Sequence, residues 1–322
     1  MHGSLRIFAG SAFTFRGPCL SDHSHCLCLN PPAKPCSWKL FPLSKLFYSS
    51  ARLELPGEMR AHETQRHFRA KLLPKKSWVK LNRGRTHLRG LRKALVALIP
   101  ESVYISVTRW TFPERVGDRI HSRFAYPVAS DFVVDIDSRM VGPWLRQHEH
   151  HGRACLTCLR CCKYLALTVL DRVKQNYERV LTVYSGNKGF HIWILDWEMR
   201  DWAMFDAADP IRSIAHSKIR YAGVLAGDIP EILDAWHYHA TIDPLRVMKC
   251  PNTLVLSTRR IALPLNYLEI EGLSVEDILW RASALRLIHE AKADEATHFE
   301  RGMSDGSGYD SLYCSSAPVL PS

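Results

Sequence analysis

Residues 131–137 constrain the fold more than any other stretch, because acidic and apolar residues are interleaved in the run Asp-Phe-Val-Val-Asp-Ile-Asp. Neighbouring strand residues face opposite sides of a sheet, so the run predicts a β-strand with one apolar face and with Asp135 and Asp137 together on the other. Their Cα atoms would lie roughly 6.7 Å apart, and Asp131 lies too far along the strand to join them. Both carboxylates can then reach a pair of divalent metal ions about 4 Å apart. A surface strand whose acids only face water is the alternative.

The charge of the chain points towards a polyanionic partner. The 322 residues include 43 Lys and Arg against 32 Asp and Glu, a formal net charge of +11. Such a surplus commonly serves nucleic acid, and a basic surface without that role is the alternative. No apolar run approaches the roughly 20 residues that a membrane span needs, so we expect no membrane segment.

The two ends of the chain differ from its middle. Residues 1–58 are rich in Ser, Pro, Cys and short apolar clusters and lack a sustained period, so we expect a poorly ordered extension. It is either linker-like or an upstream stretch read in front of a start at Met59. Residues 296–322 also lack a core pattern and are expected to form a flexible tail, which leaves residues 59–295 as the main domain. No convincing signal peptide is present, so we expect a cytoplasmic or nuclear protein that is not secreted.

Apolar periodicity in the middle predicts a mixed α and β fold. Residues 163–178 repeat apolar side chains every three or four positions, which indicates a helix with one buried stripe. The other predicted helices are Leu91–Ile99, about 210–224, about 229–236 and about 275–292, and the predicted strands are Val103–Val107, 131–137, Val180–Tyr184 and Phe190–Leu195.

Two further segments carry residues suited to phosphate chemistry. The first reads Tyr-Ser-Gly-Asn-Lys-Gly-Phe-His over residues 184–191, where glycines allow the close backbone approach that a phosphate cradle needs. A simple hairpin turn is the alternative. The second begins at Asp243, which is followed by the bases Arg246, Lys249, Arg259 and Arg260. An acid that holds an ion beside cations that offset triphosphate charge fits this pattern, although an aspartate before proline is commonly a turn or cap residue.

A cluster of cysteines predicts a zinc site. Four of the ten cysteines crowd into one short segment, preceded by three histidines: Cys155, Cys158, Cys161 and Cys162, after His148, His150 and His151. This spacing offers more than the four soft ligands of a tetrahedral structural zinc, in a module of about residues 148–163. The ion would take four of five residues, Cys155, Cys158, Cys161, Cys162 and His151, although the adjacent Cys161 and Cys162 cannot easily both reach it. Small buried thiols at a helix start are the alternative.

The order of the three chemical segments is more specific than any one of them. An acidic pair on a strand, then Ser-Gly-x-x-Gly-x-His, then an aspartate upstream of a basic residue and proline resembles the archaeo-eukaryotic primase superfamily. The small catalytic subunit of DNA primase is the most similar member, over roughly residues 60–270. The resemblance implies an α/β (α+β) catalytic core, in which an RNA-recognition-like sheet and a second α/β unit form a cleft beside a small structural zinc module.

The resemblance also implies roles for individual residues. Asp135, Asp137 and Asp243 would be catalytic and would bind two Mg²⁺ or Mn²⁺ ions. The nucleotide would contact residues of the loop and of the basic segment: Ser185, Gly186, Lys188, Gly189, His191, Lys249, Arg259 and Arg260. The chain departs from the family at Val255, near a position where relatives often carry histidine, and at Asn187 and Lys188, where they are commonly basic and arginine, respectively.

The implied activity is primer synthesis. A two-metal nucleotidyltransferase would join nucleoside triphosphates, ribonucleotides or alternatively deoxyribonucleotides, into a short primer on single-stranded DNA. Relatives of this type form a heterodimer with a large primase subunit. The rival hypotheses are a stand-alone primase-polymerase in repair or a mobile element, and a catalytically weak, zinc-containing relative that only binds nucleic acid.

Overall fold

Two antiparallel sheets organise the part of the chain that the structure describes. The structure is a computed structural model, and it describes residues 40–73, 77–117, 121–138, 155–195, 197, 209–232 and 236–293. These residues form a mixed α and β fold, which confirms the predicted class.

The regular elements follow one another along the chain. The strands are β1 (Arg66–Lys71), β2 (Trp78–Lys80), β3 (Ser102–Trp110), β4 (Pro127–Ser130), β5 (Phe132–Asp137), β6 (Val180–Tyr184), β7 (Gly189–Ile194), β8 (Val247–Lys249), β9 (Leu254–Val255), β10 (Arg260–Ile261) and β11 (Leu263–Leu265). The helices are α1 (Phe41–Ser50), α2 (Gly57–Arg60), α3 (Arg92–Leu98), α4 (Leu156–Val173), α5 (Pro210–Asp228), α6 (Tyr238–Ile242), α7 (Tyr267–Gly272), α8 (Val275–Arg281) and α9 (284–293). No helix among these residues combines the length and apolar character needed to cross a membrane.

The first sheet is built around the long strand β3. Its order is β2-β1-β3-β4, and β8 pairs with β3 beside β4. The register places Tyr104 of β3 opposite Lys249 of β8. Alternate residues of β3 enter the core, where Val103, Ile105 and Val107 are buried. The sheet therefore fixes the position of the basic segment that contains Lys249.

The second sheet has the order β11-β6-β7-β5. Because β5 and β6 are both antiparallel to β7, they run in the same direction with β7 between them, and α4 makes the connection. Helix α4 packs on this sheet with a stripe that includes Leu165, Val169 and Val173. The buried stripe is as predicted, but the helix begins at Leu156 and ends at Val173. The two sheets join where the Asp131 amide donates a hydrogen bond of 3.0 Å to the Val107 carbonyl of β3.

Residues 40–58 belong to the packed fold, so the ordered domain begins before residue 59, where the sequence predicted its start. Helix α1 buries Phe47 and Tyr48 in the main core, one turn after its buried Ser44. The Arg92 guanidinium donates hydrogen bonds of 2.7–2.8 Å to the carbonyls of Tyr48, Ser49 and Ala51. This contact satisfies carbonyls at the end of α1 that have no partner within the helix. Residues 1–39 lie outside the described residues.

Two predicted helices are interrupted by strand-like contacts. Of the helix expected over 229–236, the described residues show one 3₁₀ turn, Pro230–Ile232, after which Trp236 forms a bridge with Ile136 of β5. The helix expected over 275–292 breaks into α8 and α9 because Ser283 forms a bridge with Arg260. Pairing with a neighbouring strand outweighs helical periodicity at both places.

Candidate active site

The acid pair lies at the end of β5, beside β7. Phe132, Val134 and Ile136 are buried, whereas Asp135 and Asp137 are partly exposed, as the interleaved pattern predicts. Asp135 is directly opposite His191, and Asp137 is opposite Gly189. The strand pairing therefore brings the acids next to the glycine-containing loop that precedes β7.

Two histidines surround the Asp135 carboxylate. Its oxygens lie 3.5 Å from His191 Nε2 and 3.4 Å from His237 Nδ1. Burial acts to raise the pKa of Asp135, but hydrogen bonding to His237 and the nearby histidine and Arg246 charges hold it below its usual value. Burial lowers the pKa of His191, although Asp135 opposes this effect. The pKa of His237 is raised by its hydrogen bond to Asp135.

His237 is a site residue that the sequence did not reveal. Its backbone amide donates a hydrogen bond of 2.8 Å to the Asp135 carbonyl, next to the bridge between Trp236 and Ile136. These contacts attach the chain segment along the edge of β5. No local motif marks His237; its position depends on a strand contact made about 100 residues away.

The loop between β6 and β7 is closed by its own backbone. The Ser185 amide donates a hydrogen bond of 2.9 Å to the Gly189 carbonyl, and the Gly189 amide donates one of 3.3 Å to Ser185 Oγ. Gly186 has a positive φ of 75°. A Cβ atom at Gly189 would lie 1.8 Å from the Ile136 carbonyl oxygen, so only glycine permits this strand spacing. The Ser138 amide donates to the Lys188 carbonyl at 2.9 Å.

Val255, the departure noted in the sequence, packs behind this loop. It is buried in β9, and a Cβ atom at Gly186 would come within 2.6 Å of its Cγ2. The Thr258 hydroxyl donates a hydrogen bond of 2.6 Å to the Gly186 carbonyl. Val255 therefore acts as a packing residue that supports the positive-φ turn.

Basic residues of the β8 segment lie close to the acid and histidine pair. The Lys249 ammonium donates a hydrogen bond of 2.8 Å to Ser102 Oγ and lies 5.1 Å from the centre of the Tyr104 ring. Burial lowers the pKa of Lys249 to about 8. The charge of Lys249 acts on His191, and that of Arg246 acts on both His191 and Asp135. An anion at this position would therefore meet positive charge beside the carboxylates.

Arg259 and Arg260 follow Thr258, whose hydroxyl is hydrogen-bonded to the loop. Arg260 interacts with the Tyr184 hydroxyl and partly offsets the effect of burial, which raises the pKa of Tyr184 to about 12. Arg259 is exposed and has the left-handed φ of 56°. The two arginines therefore flank the loop rather than the β8 segment.

Asp243 is exposed at the end of α6. Its Oδ1 accepts a hydrogen bond of 2.9 Å from the Leu245 amide, the turn contact that was the alternative interpretation. Its charge acts on Lys218, which lies in α5. Among the described residues, no group of three or more His, Cys, Asp or Glu side chains is arranged to hold a metal ion.

The donor chemistry of Asp135 and Asp137 nevertheless fits a hard divalent cation. Both are carboxylates on one face of β5, and Asp135 retains partial exposure. Mg²⁺ is usually bound by one or two carboxylates together with water and substrate phosphates, so a complete protein cage is not required. The pair can hold such an ion once a phosphate supplies the remaining oxygens.

The cysteines lie in the first turns of α4, on the side of the acid pair. Cys155 precedes the helix, and a hydrogen bond with Cys155 raises the pKa of Cys158. Cys162 is fully buried, and burial followed by the charges of Asp137 and Asp135 raises its pKa. Of the five predicted zinc ligands, the structure describes four, Cys155, Cys158, Cys161 and Cys162, whereas His151 lies outside the described residues. His148 and His150 also lie outside the described residues.

A second, buried charge cluster was not anticipated. Asp131 forms an ion pair of 2.5 Å with Arg66, and both side chains are about 1% exposed. The fully buried Lys218 lies within electrostatic reach of Asp131, and burial lowers its pKa to about 7. Its ammonium has no hydrogen-bond partner among the described residues. An isolated lysine in a helix pattern gave no sequence signal of this environment.

Comparison with known proteins gives a fold neighbour and no sequence relative. No protein-family model and no curated protein matches the chain. Among solved structures, the chain is similar to the polymerase domain from Mycobacterium tuberculosis Ligase D in complex with DNA. The match has a TM-score of 0.47 and 13% identity, and it covers 80% of this chain and 89% of that one.

Proposed function

We propose that the chain is a metal-dependent nucleotidyltransferase of the primase-polymerase type, which joins nucleotides on a single-stranded DNA template. The observation that carries the proposal is the pairing of β5 with β7. This pairing sets Asp135 and Asp137 directly opposite His191 and Gly189 of β7, beside the loop that precedes that strand. The Asp-x-Asp and Ser-Gly-x-x-Gly-x-His motifs, which are far apart in sequence, thus meet in one place.

Each part of this arrangement has a task in nucleotidyl transfer. Asp135 and Asp137 would hold Mg²⁺ or Mn²⁺, and the ion, when bound, would offset phosphate charge and favour attack by a 3′ hydroxyl. Lys249 and Arg246 would attract and orient the triphosphate near His191. The amides of the loop would approach phosphate oxygens closely, because glycines flank Asn187 and Lys188.

Asp243 is proposed as a third carboxylate that joins the site when nucleotide and metal are present. Its side chain is exposed at the end of α6, and its hydrogen bond to the Leu245 amide would be exchanged for an ion contact. The hydrogen bond between Asp243 and the Leu245 amide also fits the rival hypothesis, in which a catalytically weak relative only binds nucleic acid. Product formation separates the two.

The finer assignment is the small catalytic subunit of a DNA primase, which uses ribonucleotides and acts with a large subunit. It rests on the motif order alone. A stand-alone primase-polymerase would initiate without any second protein. Primer initiation by the purified chain, compared with and without a candidate large subunit, distinguishes these two possibilities.

A structural zinc site is proposed at the start of α4. The thiols of Cys155 and Cys158 are in contact there, and Cys161 with Cys162 or His151 would complete four ligands. We expect about one zinc per chain by elemental analysis, and its loss together with reduced stability in Cys158→Ser. Stoichiometric zinc in Cys158→Ser would contradict the assignment.

The enzymatic proposal is tested by primer synthesis on a single-stranded template with nucleoside triphosphates and Mn²⁺ or Mg²⁺. Wild-type protein should make short oligonucleotides, and Asp135→Asn and Asp137→Asn should not. Asp228→Asn is the matched control, because Asp228 is a surface acid paired with Arg172. Absence of product from the wild type, or equal product from the acid variants, would overturn the enzymatic assignment.

A further inference from the structure

A groove is lined by the segment Thr258–Arg260 and by residues at the end of α8. It has a volume of about 440 Å³, within the usual range for ligand sites. Its walls combine apolar residues, hydroxyls and arginines, and they include Arg259, Arg260 and Trp280. The Thr258 hydroxyl joins this groove directly to the loop through its hydrogen bond to the Gly186 carbonyl.

Trp280 is unusual in this groove because it is large, apolar and 63% exposed. The guanidinium of Arg286 lies over its ring, 4.6 Å from the ring centre, and covers one face. Its exposure shows that much of the remaining ring surface is accessible. A planar ring fixed by a stacked cation is suited to contact another flat group.

The backbone around the groove is held in place before any ligand binds. The Ile261 amide donates a hydrogen bond of 2.8 Å to the Ala282 carbonyl, and the Ala284 amide donates one of 3.0 Å to the Arg259 carbonyl. Arg259 itself adopts a left-handed conformation that usually favours glycine. The exposed side chain of Arg259 is therefore presented from a backbone that the neighbouring hydrogen bonds hold in place.

We propose that this groove binds single-stranded nucleic acid, with a base stacked on Trp280 and with phosphates held by Arg259 and Arg260. Bases stack on aromatic side chains while cations follow the backbone in sites of this kind. The net charge of +11 favours a polyanion over a peptide partner. Among the described residues that line the groove, the one acid is Glu276, which is paired with Arg160 at 2.6 Å. The inference deepens the proposed function, since the strand would be the template.

The test measures binding of a fluorescent oligothymidine of about 15 nucleotides to the full chain by anisotropy. Nucleotide and metal are left out, so that catalysis plays no part. Trp280→Ala should weaken binding roughly 5- to 150-fold, the range expected for loss of one stacked base. Trp280→Phe should retain most of the affinity. Leu268→Ala is the control, because Leu268 is 75% exposed on α7 outside the groove, and it should bind as wild type.

A second variant tests the phosphate contact independently of the tryptophan. Arg259→Asn suits the left-handed backbone and should weaken binding, and the dependence of log K on log salt should become shallower by about one unit. Oligonucleotide binding that is unchanged in both Trp280→Ala and Arg259→Asn would overturn the inference. The inference would also be overturned if the wild-type protein did not bind the oligonucleotide and instead associated with protein in a way that depends on Trp280.

Failure of the two proposals can be told apart. If the wild type makes primers while Trp280→Ala and Arg259→Asn bind template normally, the groove is not the strand site and the nucleotidyltransferase assignment remains. If the wild type makes no product but binds oligonucleotide in a Trp280-dependent way, the groove assignment remains and the enzymatic one falls.

Discussion

Asp131 directly precedes β5 and Asp135 lies four residues further along, within that strand, yet their surroundings differ sharply. Asp131 is about 1% exposed and paired with the permanent charge of Arg66. Asp135 is 13% exposed, and its partners are two imidazoles, His191 and His237, whose charge depends on pH. A fixed guanidinium holds an acid in one state, whereas histidines can release it to another cation. We therefore propose that the first acid stabilises the fold and that the second binds a ligand.

Removing the buried acid should have the largest effect. Asp131→Asn would leave the Arg66 guanidinium buried without its counter-ion, and the free energy of unfolding should fall by about 3–5 kcal/mol. Urea denaturation measures this change. Asp228→Asn, which breaks the exposed pair with Arg172, should cost less than about 1 kcal/mol. A cost below about 1 kcal/mol for Asp131→Asn would remove the distinction between the two acids.

Removing the exposed acid should affect chemistry instead. Asp135→Asn should reduce the rate of nucleotide incorporation by at least about 10²- to 10³-fold, the usual loss when one charge-stabilising group is removed. Its free energy of unfolding should change by less than about 1 kcal/mol, because the amide avoids the cost of burying charge. Initial rates and urea denaturation of the same preparation provide both values. A large loss of stability with normal rates would reverse the assignment.

Lys218 tests the energetics of the buried charge cluster around Asp131. Its pKa of about 7 lies below the ordinary value, so the unfolded chain binds more protons than the folded chain between pH 7 and 10.5. Lys218 therefore destabilises the fold most below pH 7, and this penalty is relieved as pH rises towards 10.5. We expect Lys218→Met to raise the free energy of unfolding at pH 6 by about 2 kcal/mol, and by less at pH 9.

Unfolding curves of Lys218→Met at the two pH values measure the difference. Lys218→Arg is the control, because it keeps a buried cation and should gain no stability at pH 6. Equal destabilisation of Lys218→Met at both pH values would mean that the ammonium is needed as a counter-ion for Asp131 or Asp243.

The smallest expected effect concerns His237. Its raised pKa means that the contact with Asp135 stabilises the fold fully below pH 6.5 and is lost as pH rises through the folded pKa. The stability that the Asp135 carboxylate contributes is lost at low pH, as the pH falls through the lowered pKa of Asp135. Because the imidazole is 43% exposed, the stability term should be at most about 0.5 kcal/mol.

The direct measurement is the NMR titration of His237. In Asp135→Asn its pKa should return towards 6.5, and in Asp228→Asn it should stay raised. A His237 pKa that does not change in Asp135→Asn would show that Asp135 is not its partner.

Local sequence patterns predicted those strands whose buried and exposed faces follow from the alternation of neighbouring residues. Strand β6 covers the predicted residues, and β5 buries Phe132, Val134 and Ile136 as the interleaved sequence indicates. The position of the loop between β6 and β7 followed from these strands, because glycines permit the turn and close strand pairing. Strand periodicity and turn glycines depend on residues that are close together in the sequence, so the sequence alone predicts them.

Other features depend on contacts between distant segments. Helix α1 was missed because its few buried side chains become informative only when Arg92 and the main core are in place. The partner of Asp131 is set by the packing of the two sheets, which the order of motifs does not specify. His237 enters the site through a bridge between Trp236 and Ile136. Long-range packing decides each of these positions.

The contact between Gly189 and the Ile136 carbonyl has a consequence for how such a site can change over time. The spacing between acids and loop is set by main-chain atoms, since the Lys188 and Asn187 carbonyls accept the hydrogen bonds that hold the loop. The side chains at positions 187 and 188 can therefore be exchanged without disturbing that spacing. If the loop binds phosphate as proposed, selection can vary its affinity for that group while the distance to the carboxylates is inherited unchanged.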